Sequence, residues 1–141
     1  MTTRIPLSAA AKANVAGLVV AAAGILIQYF SGVEGFPTIP PGPFILLAAA
    51  LIVWGPWRWT AAVGVIAPLL GLVLGAMSTI LNWDTTAPLS DPSETAGFAG
   101  ALLQFLGLIA ALGAGIVAVS GPTVAPGRPG VGNDERDRRP Q

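Results

Sequence analysis

Three stretches of the chain run long, apolar and without a charge: Ala13 to Val33, Thr60 to Trp83 and Gly97 to Thr123. Each reaches the roughly 20 residues a helix needs to cross a ~30 Å hydrocarbon layer. A shorter one lies within "PPGPFILLAAALIVWGPWRW", where the apolar core Phe44 to Trp54 holds only eleven residues. As a helix that core rises only ~17 Å. The prolines before it lengthen it, because Pro40, Pro41 and Pro43 suit a first helical turn whose N–H groups lack partners in any case. A helix from 40 to 55 rises ~24 Å, short but able to span where the bilayer thins locally.

The pattern predicts four transmembrane helices over about 13–30, 40–57, 59–81 and 97–119. Residues 1–12 precede the bundle, whose domain runs from 13 to 120. The segment "SGVEGFPTIPPG" is too rich in Gly and Pro to continue the first helix. The tight "GPWR" turn makes the second and third spans neighbours, and Pro68 is expected to kink the third. Before the fourth, Asp91, Pro92 and Glu94 form a helix-start signature with an acidic capping box. Residues 121–141 have almost no apolar content and are expected to be disordered.

Charge orients these spans. Four crossings place Arg4, Lys12, Arg58, Arg128, Arg136, Arg138 and Arg139 on one side and Glu34, Asp84, Asp91 and Glu94 on the other. Three crossings would expose Arg58 on the acidic side. The positive-inside rule therefore selects four spans with both termini cytoplasmic. Arg58 anchors the second turn, flanked by an interfacial belt of Trp54, Trp57 and Trp59, while Trp83 serves the outer side. The first span is longer than a signal-peptide core and is followed by no small-residue cleavage site, so it is read as retained.

Composition agrees with a lipid setting: 53% of residues are hydrophobic and 10% charged, against about 25% charged in soluble domains. The chain has no Cys and no His, which removes thiol nucleophiles and the usual zinc, haem and iron–sulfur ligands. Six Arg against one Lys, with 24 Ala and 18 Gly, suggest a GC-rich bacterial genome. No acid or base lies within a span, so the usual marks of proton relays and coupled pumps are missing. Asp84, Asp91 and Glu94 share an outer loop at spacings that match no metal loop. The tail's arginines alternate with acids, so it reads as a solubilising segment and not as a lipid anchor. Nothing points to nucleic acid, a cofactor or an enzyme.

The intramembrane polar residues carry more. Residues near multiples of 3.6 share a helix face. Gln28 shares its face with Ala10, Asn14, Gly17, Ala21 and Gly24. Ser78 shares one with Gly64, Ala67, Gly71 and Gly75, and Gln104 one with Gly97, Gly100, Gly107, Ala111, Gly115 and Ala118. Small residues let membrane helices approach, and amides or hydroxyls bond across the contact. Gly17, Gly24, Gly71, Gly75, Gly107 and Gly115 are thus read as packing positions. Gln28, Ser78, Thr79 and Gln104 form a candidate polar cluster in the outer half of the bilayer. It is either a clasp between helices or the lining of a path for a small neutral solute.

The segments "FPTIPPGPFILL", "WGPWRWTAAVGVIAPLLGLVLG" and "GALLQFLGLIAALGAGIVAV" resemble small four-helix integral membrane proteins of high-GC, actinobacterial-type bacteria that have no assigned activity. The likeness spans about residues 35–119, implies an all-α bundle and carries over no functional residues. The expectation is a multi-pass protein of a bacterial cytoplasmic membrane with a non-catalytic assembly role, as a small subunit or homo-oligomer. The alternative is a passive transporter or channel component.

The charge separation makes a direct prediction. Single cysteines at Gly35 and Thr86 of this cysteine-free chain will react with an impermeant thiol reagent in intact cells, and one at Gly130 will not. Labelling at 130 would reject the orientation.

Overall fold

In a computed structural model of the protein, the described residues are 7–33, 37–56, 59–81 and 95–120, less the side chain of Thr79. They form four helices: α1 (Ala9–Phe30), α2 (Pro41–Trp54), α3 (Thr60–Leu81) and α4 (Thr95–Ser120). No strand occurs among the described residues. α1, α3 and α4 are long and apolar enough to cross a membrane, whereas α2 is a shorter apolar helix. At ~1.5 Å per residue, the 14 residues of α2 rise ~21 Å against ~33 Å for the 22 of α1. Glu34, Trp57, Arg58, Trp83, Asp84, the capping box at Asp91 to Glu94 and the tail from 121 lie outside the described residues.

The helix ends follow from local chemistry. α1 starts one turn earlier than the charge pattern alone implies, because Ser8 Oγ accepts from the Ala11 N–H at 3.1 Å. Lys12 thereby joins the first turn of the helix, where it is exposed. α1 stops at Gly32, whose φ of +77° only glycine adopts without strain. The Gly32 N–H then bonds the Tyr29 carbonyl at 3.2 Å and the Val33 N–H bonds the Gln28 carbonyl at 3.3 Å, closing a Schellman motif. α2 opens with Pro41 and Pro43, which need no hydrogen-bond acceptor in the first turn. α3 runs through Pro68 as one helix.

Consecutive helices are neighbours, and α4 packs along α1, the most extensive contact in the bundle. The α1–α4 seam is built from missing side chains. A Cβ added to Gly24 would lie 2.5 Å from the Gly100 carbonyl oxygen and the Gln104 nitrogen. One added to Gly17 would lie 2.7 Å from the Gly107 carbonyl oxygen, and one on Gly107 the same distance from the Gly17 carbonyl oxygen. Backbone meets backbone at each of these points. On α1 the seam positions Asn14, Gly17, Ala21, Gly24 and Gln28 step by three and four, and all are buried. Their average spacing of 3.5 residues is the repeat that keeps one face in register with a partner helix.

The distribution of bulk is inverted relative to a soluble bundle. The interior cluster is Ala21, Ala22, Ala49, Ala50 and Ala111 with Leu18, Ile25, Leu46 and Leu108. The outer surface carries large apolar side chains, among them Phe30 at 79%, Leu51 at 73% and Leu81 at 73% exposure. An exterior so rich in large apolar side chains is compatible with a membrane protein.

Gly71 differs from the seam glycines, since a Cβ there would meet only Leu108 methyl groups, at 2.9 and 3.2 Å. The leucine can move where a backbone cannot. Gly24→Ala and Gly107→Ala are therefore expected to destabilise the protein by about 1–3 kcal/mol, and Gly71→Ala by less. Gly113, with nothing within 4 Å of its Cβ direction, should accept alanine with a gain of up to about 1 kcal/mol. Thermal unfolding in mild detergent orders the four variants, and wild-type stability for Gly24→Ala or Gly107→Ala would show the seam to be misassigned.

Candidate functional site: two amide clasps inside the bundle

Two amide side chains stand on the α1 seam, fourteen residues or ~21 Å apart along the helix. Gln28, near the α2-proximal end of α1, is 9% exposed. Its Nε2 donates to Gln104 Oε1 of α4 at 2.7 Å and to the Gly24 carbonyl at 3.3 Å. Both hydrogens of that amide are therefore committed. The side chains meet because Gly100 lacks a Cβ: one added there would lie 2.9 Å from the Gln28 Cγ. Gln104 also reaches toward α3, its Nε2 lying 3.6 Å from the Cβ direction of Gly75.

Of the four polar residues grouped in the sequence, Gln28 and Gln104 are bonded to each other. Ser78 stands on the exposed face of α3 and the Thr79 side chain lies outside the described residues. The periodicity that put Ser78 on the glycine face holds along α3. That face is narrow, however, and the helix is mostly exposed by the level of Ser78. Trp54 and Trp59 are exposed at one end of the bundle, at 56% and 62%, with Trp57 and Arg58 between them undescribed.

The second clasp was not singled out by the sequence. Asn14 is 1% exposed and joins three helices. Its Nδ2 donates to the Gly64 carbonyl of α3 at 2.7 Å and to the Ala111 carbonyl of α4 at 2.5 Å. The Gly64 carbonyl is a special acceptor. In a regular helix it would receive the N–H of the residue four positions on, and that residue is Pro68, which has none. Asn14 thus supplies from another helix the donor that the proline removes. Gly115 makes room, its Cβ direction running straight at the Gly64 carbonyl oxygen. A sequence signal did exist: Asn14 is a polar residue two heptads before Gln28 on the same face, and Gly64 lies four before the only proline inside a helix interior.

Asn14 Oδ1 is buried with no hydrogen-bond partner. It lies 3.4 Å from the Cβ direction of Gly64, where glycine carries a hydrogen. Turning the amide over would set Oδ1 against two carbonyl oxygens, so the donors must face them. The arrangement is a helix connector. It offers no nucleophile or titratable group, and among the described residues no cluster of His, Cys, Asp or Glu could hold a metal. An open depression of about 430 Å³ lies between Ser31, Gly32 and Thr95 to Gly97, with no charged side chain among the described residues that line it. No family model, no curated protein and no solved structure matches the chain.

The pairing of Asn14 with a proline-freed carbonyl is testable by a double-mutant cycle. Asn14→Leu keeps similar volume but leaves the Gly64 carbonyl unpaired, an expected loss of about 1–3 kcal/mol. Pro68→Ala returns an N–H to that carbonyl, so it should recover stability in the Asn14→Leu background more than in wild type. A coupling of about 1 kcal/mol is expected from thermal or denaturant unfolding. Strictly additive effects would show that the two residues do not share the carbonyl.

Proposed function

We propose that the chain is a four-span integral protein of a bacterial cytoplasmic membrane with both termini cytoplasmic, and that it works as a non-catalytic assembly component. Its partner is another membrane protein or a second copy of itself. The observation that carries this reading is the use made of the buried amides. Asn14 directs both of its amide hydrogens to neighbouring helices, Gln28 directs one to Gln104 and the other to the Gly24 carbonyl of its own helix, and the seam around them is closed by backbone contact. Such an interior holds helices together and leaves the outer faces for binding. The large apolar exterior and the complete separation of bases from loop acids support the membrane placement and orientation.

Gln104→Leu separates assembly from transport. Interhelical hydrogen bonds in membranes average only ~0.6 kcal/mol, so the variant is expected to lose a little thermal stability and to retain its partners in a gentle-detergent pull-down read by mass spectrometry. Liposomes bearing the wild-type protein should show no flux of small neutral solutes above empty vesicles. Flux that vanishes with Gln104→Leu while the fold persists would replace assembly with transport.

A further inference from the structure

We infer that the α2 flank is a lipid-selective surface, at which short-chain phospholipids cover the protein and the bilayer is thinner than beside α1, α3 and α4. The inference rests on the membrane placement proposed above and adds to it which lipid chemistry the surface takes.

The limits of the apolar belt on this flank are set at both ends. At one end the chain before α2 is non-helical and exposed at Pro37, Thr38 and Ile39. The Tyr29 hydroxyl donates to the Thr38 carbonyl at 2.7 Å, which ties this segment to the last turn of α1. Irregular backbone facing lipid cannot lie in hydrocarbon, where its polar groups find no partners. The hydrocarbon edge therefore falls near Pro40. At the other end α2 closes at Gly55, whose N–H bonds the Leu51 and Ile52 carbonyls, both at 3.1 Å. Trp54 and Trp59 stand exposed there, as interfacial aromatics do. Between these limits lie the 14 helical residues of α2, ~21 Å, against a hydrocarbon layer of ~30 Å. A deficit of ~9 Å is met by thinning the layer, since tilting would shorten the helix further.

The chemistry of the face favours lipid over another helix. The most extensive helix contact, the α1–α4 seam, is lined by glycine and alanine, whereas the outward side of α2 presents Phe44, Ile45, Leu47, Leu51 and Trp54, with Ala48 the small residue among them. Side chains of that size hold a second helix away. They pack readily against mobile acyl chains.

A single-tryptophan variant carrying Trp57→Phe, Trp59→Phe and Trp83→Phe leaves Trp54 as the reporter on this flank. It is reconstituted in mixtures of dimyristoleoyl- and dioleoyl-phosphatidylcholine, with one or the other brominated. At equal mole fraction, brominated short-chain lipid should quench Trp54 about threefold more effectively than brominated dioleoyl lipid. In the same background, Trp54→Phe with Leu74→Trp moves the reporter to the long α3 flank, where no preference for the short chain is expected. Equal quenching of Trp54 by the two lipids overturns the inference. So does shielding from both lipids together with disulfide formation between copies carrying Leu47→Cys, which would assign the face to a second copy. A protein that enters neither vesicle rejects the membrane placement itself. Should the tryptophan replacements unfold the chain, wild-type thermal stability across dimyristoleoyl, dioleoyl and dierucoyl vesicles gives an independent reading. Stability must then fall as the chains lengthen, and a maximum in the dierucoyl bilayer would be decisive against a thinned flank.

Discussion

The backbones of α1 and α4 touch at Gly17, Gly24, Gly100 and Gly107, with no Cβ between them. Under the proposed membrane placement there is no water to expel from between helices, so attraction comes from dense packing and from polar contacts. Close approach supplies the first and makes the second possible. Only at this separation can the short Asn14 side chain span from α1 to the carbonyls of two other helices, or Gln28 meet Gln104 directly. The other helices are then arranged around the pair, with α2 against α1 and α3 against α4.

α3 shows how one local defect is absorbed by its neighbours. Pro68 is fully buried and deprives Gly64 of its intrahelical donor. In water a solvent molecule would fill that role. Inside a membrane bundle the donor must come from protein, and Asn14 provides it at 2.7 Å. The amide gains two acceptors and leaves Oδ1 without a hydrogen-bond partner. Gly115 completes the junction by allowing the Gly64 carbonyl to approach α4. Four residues on three helices thus depend on one another, and they lie outside the cluster that polarity alone marked.

These two features give the molecule an interior that is rigid and committed to itself, with its variation on the outside. α2, at 14 residues, is shorter than α3 at 22 and α4 at 26, so the apolar belts on these flanks differ in height. A protein of this shape bears on its surroundings through its flanks and loops.

What the sequence determined by itself is whatever depends on short-range chemistry and on period. The four apolar helices, the glycine stop of α1, the proline start of α2 and the faces carrying Gln28 and Gln104 are all readable from residue type and spacing. The start of α1 is set by Ser8, which caps the helix one turn ahead of the boundary that the charge pattern implies at Lys12. Tertiary structure decided which small faces meet backbone to backbone and which meet side chains. Gly107 and Gly71 look alike in the sequence, yet one faces the Gly17 carbonyl and the other a leucine methyl. It also decided that Ser78 stands outside and Asn14 at the centre. The reason is geometric: periodicity gives the direction of a side chain on its own helix, but a contact requires the position of a second helix. The bond from Asn14 to Gly64 joins residues fifty positions apart, and no local rule couples them until α4, packed against both α1 and α3, brings the two helices within reach.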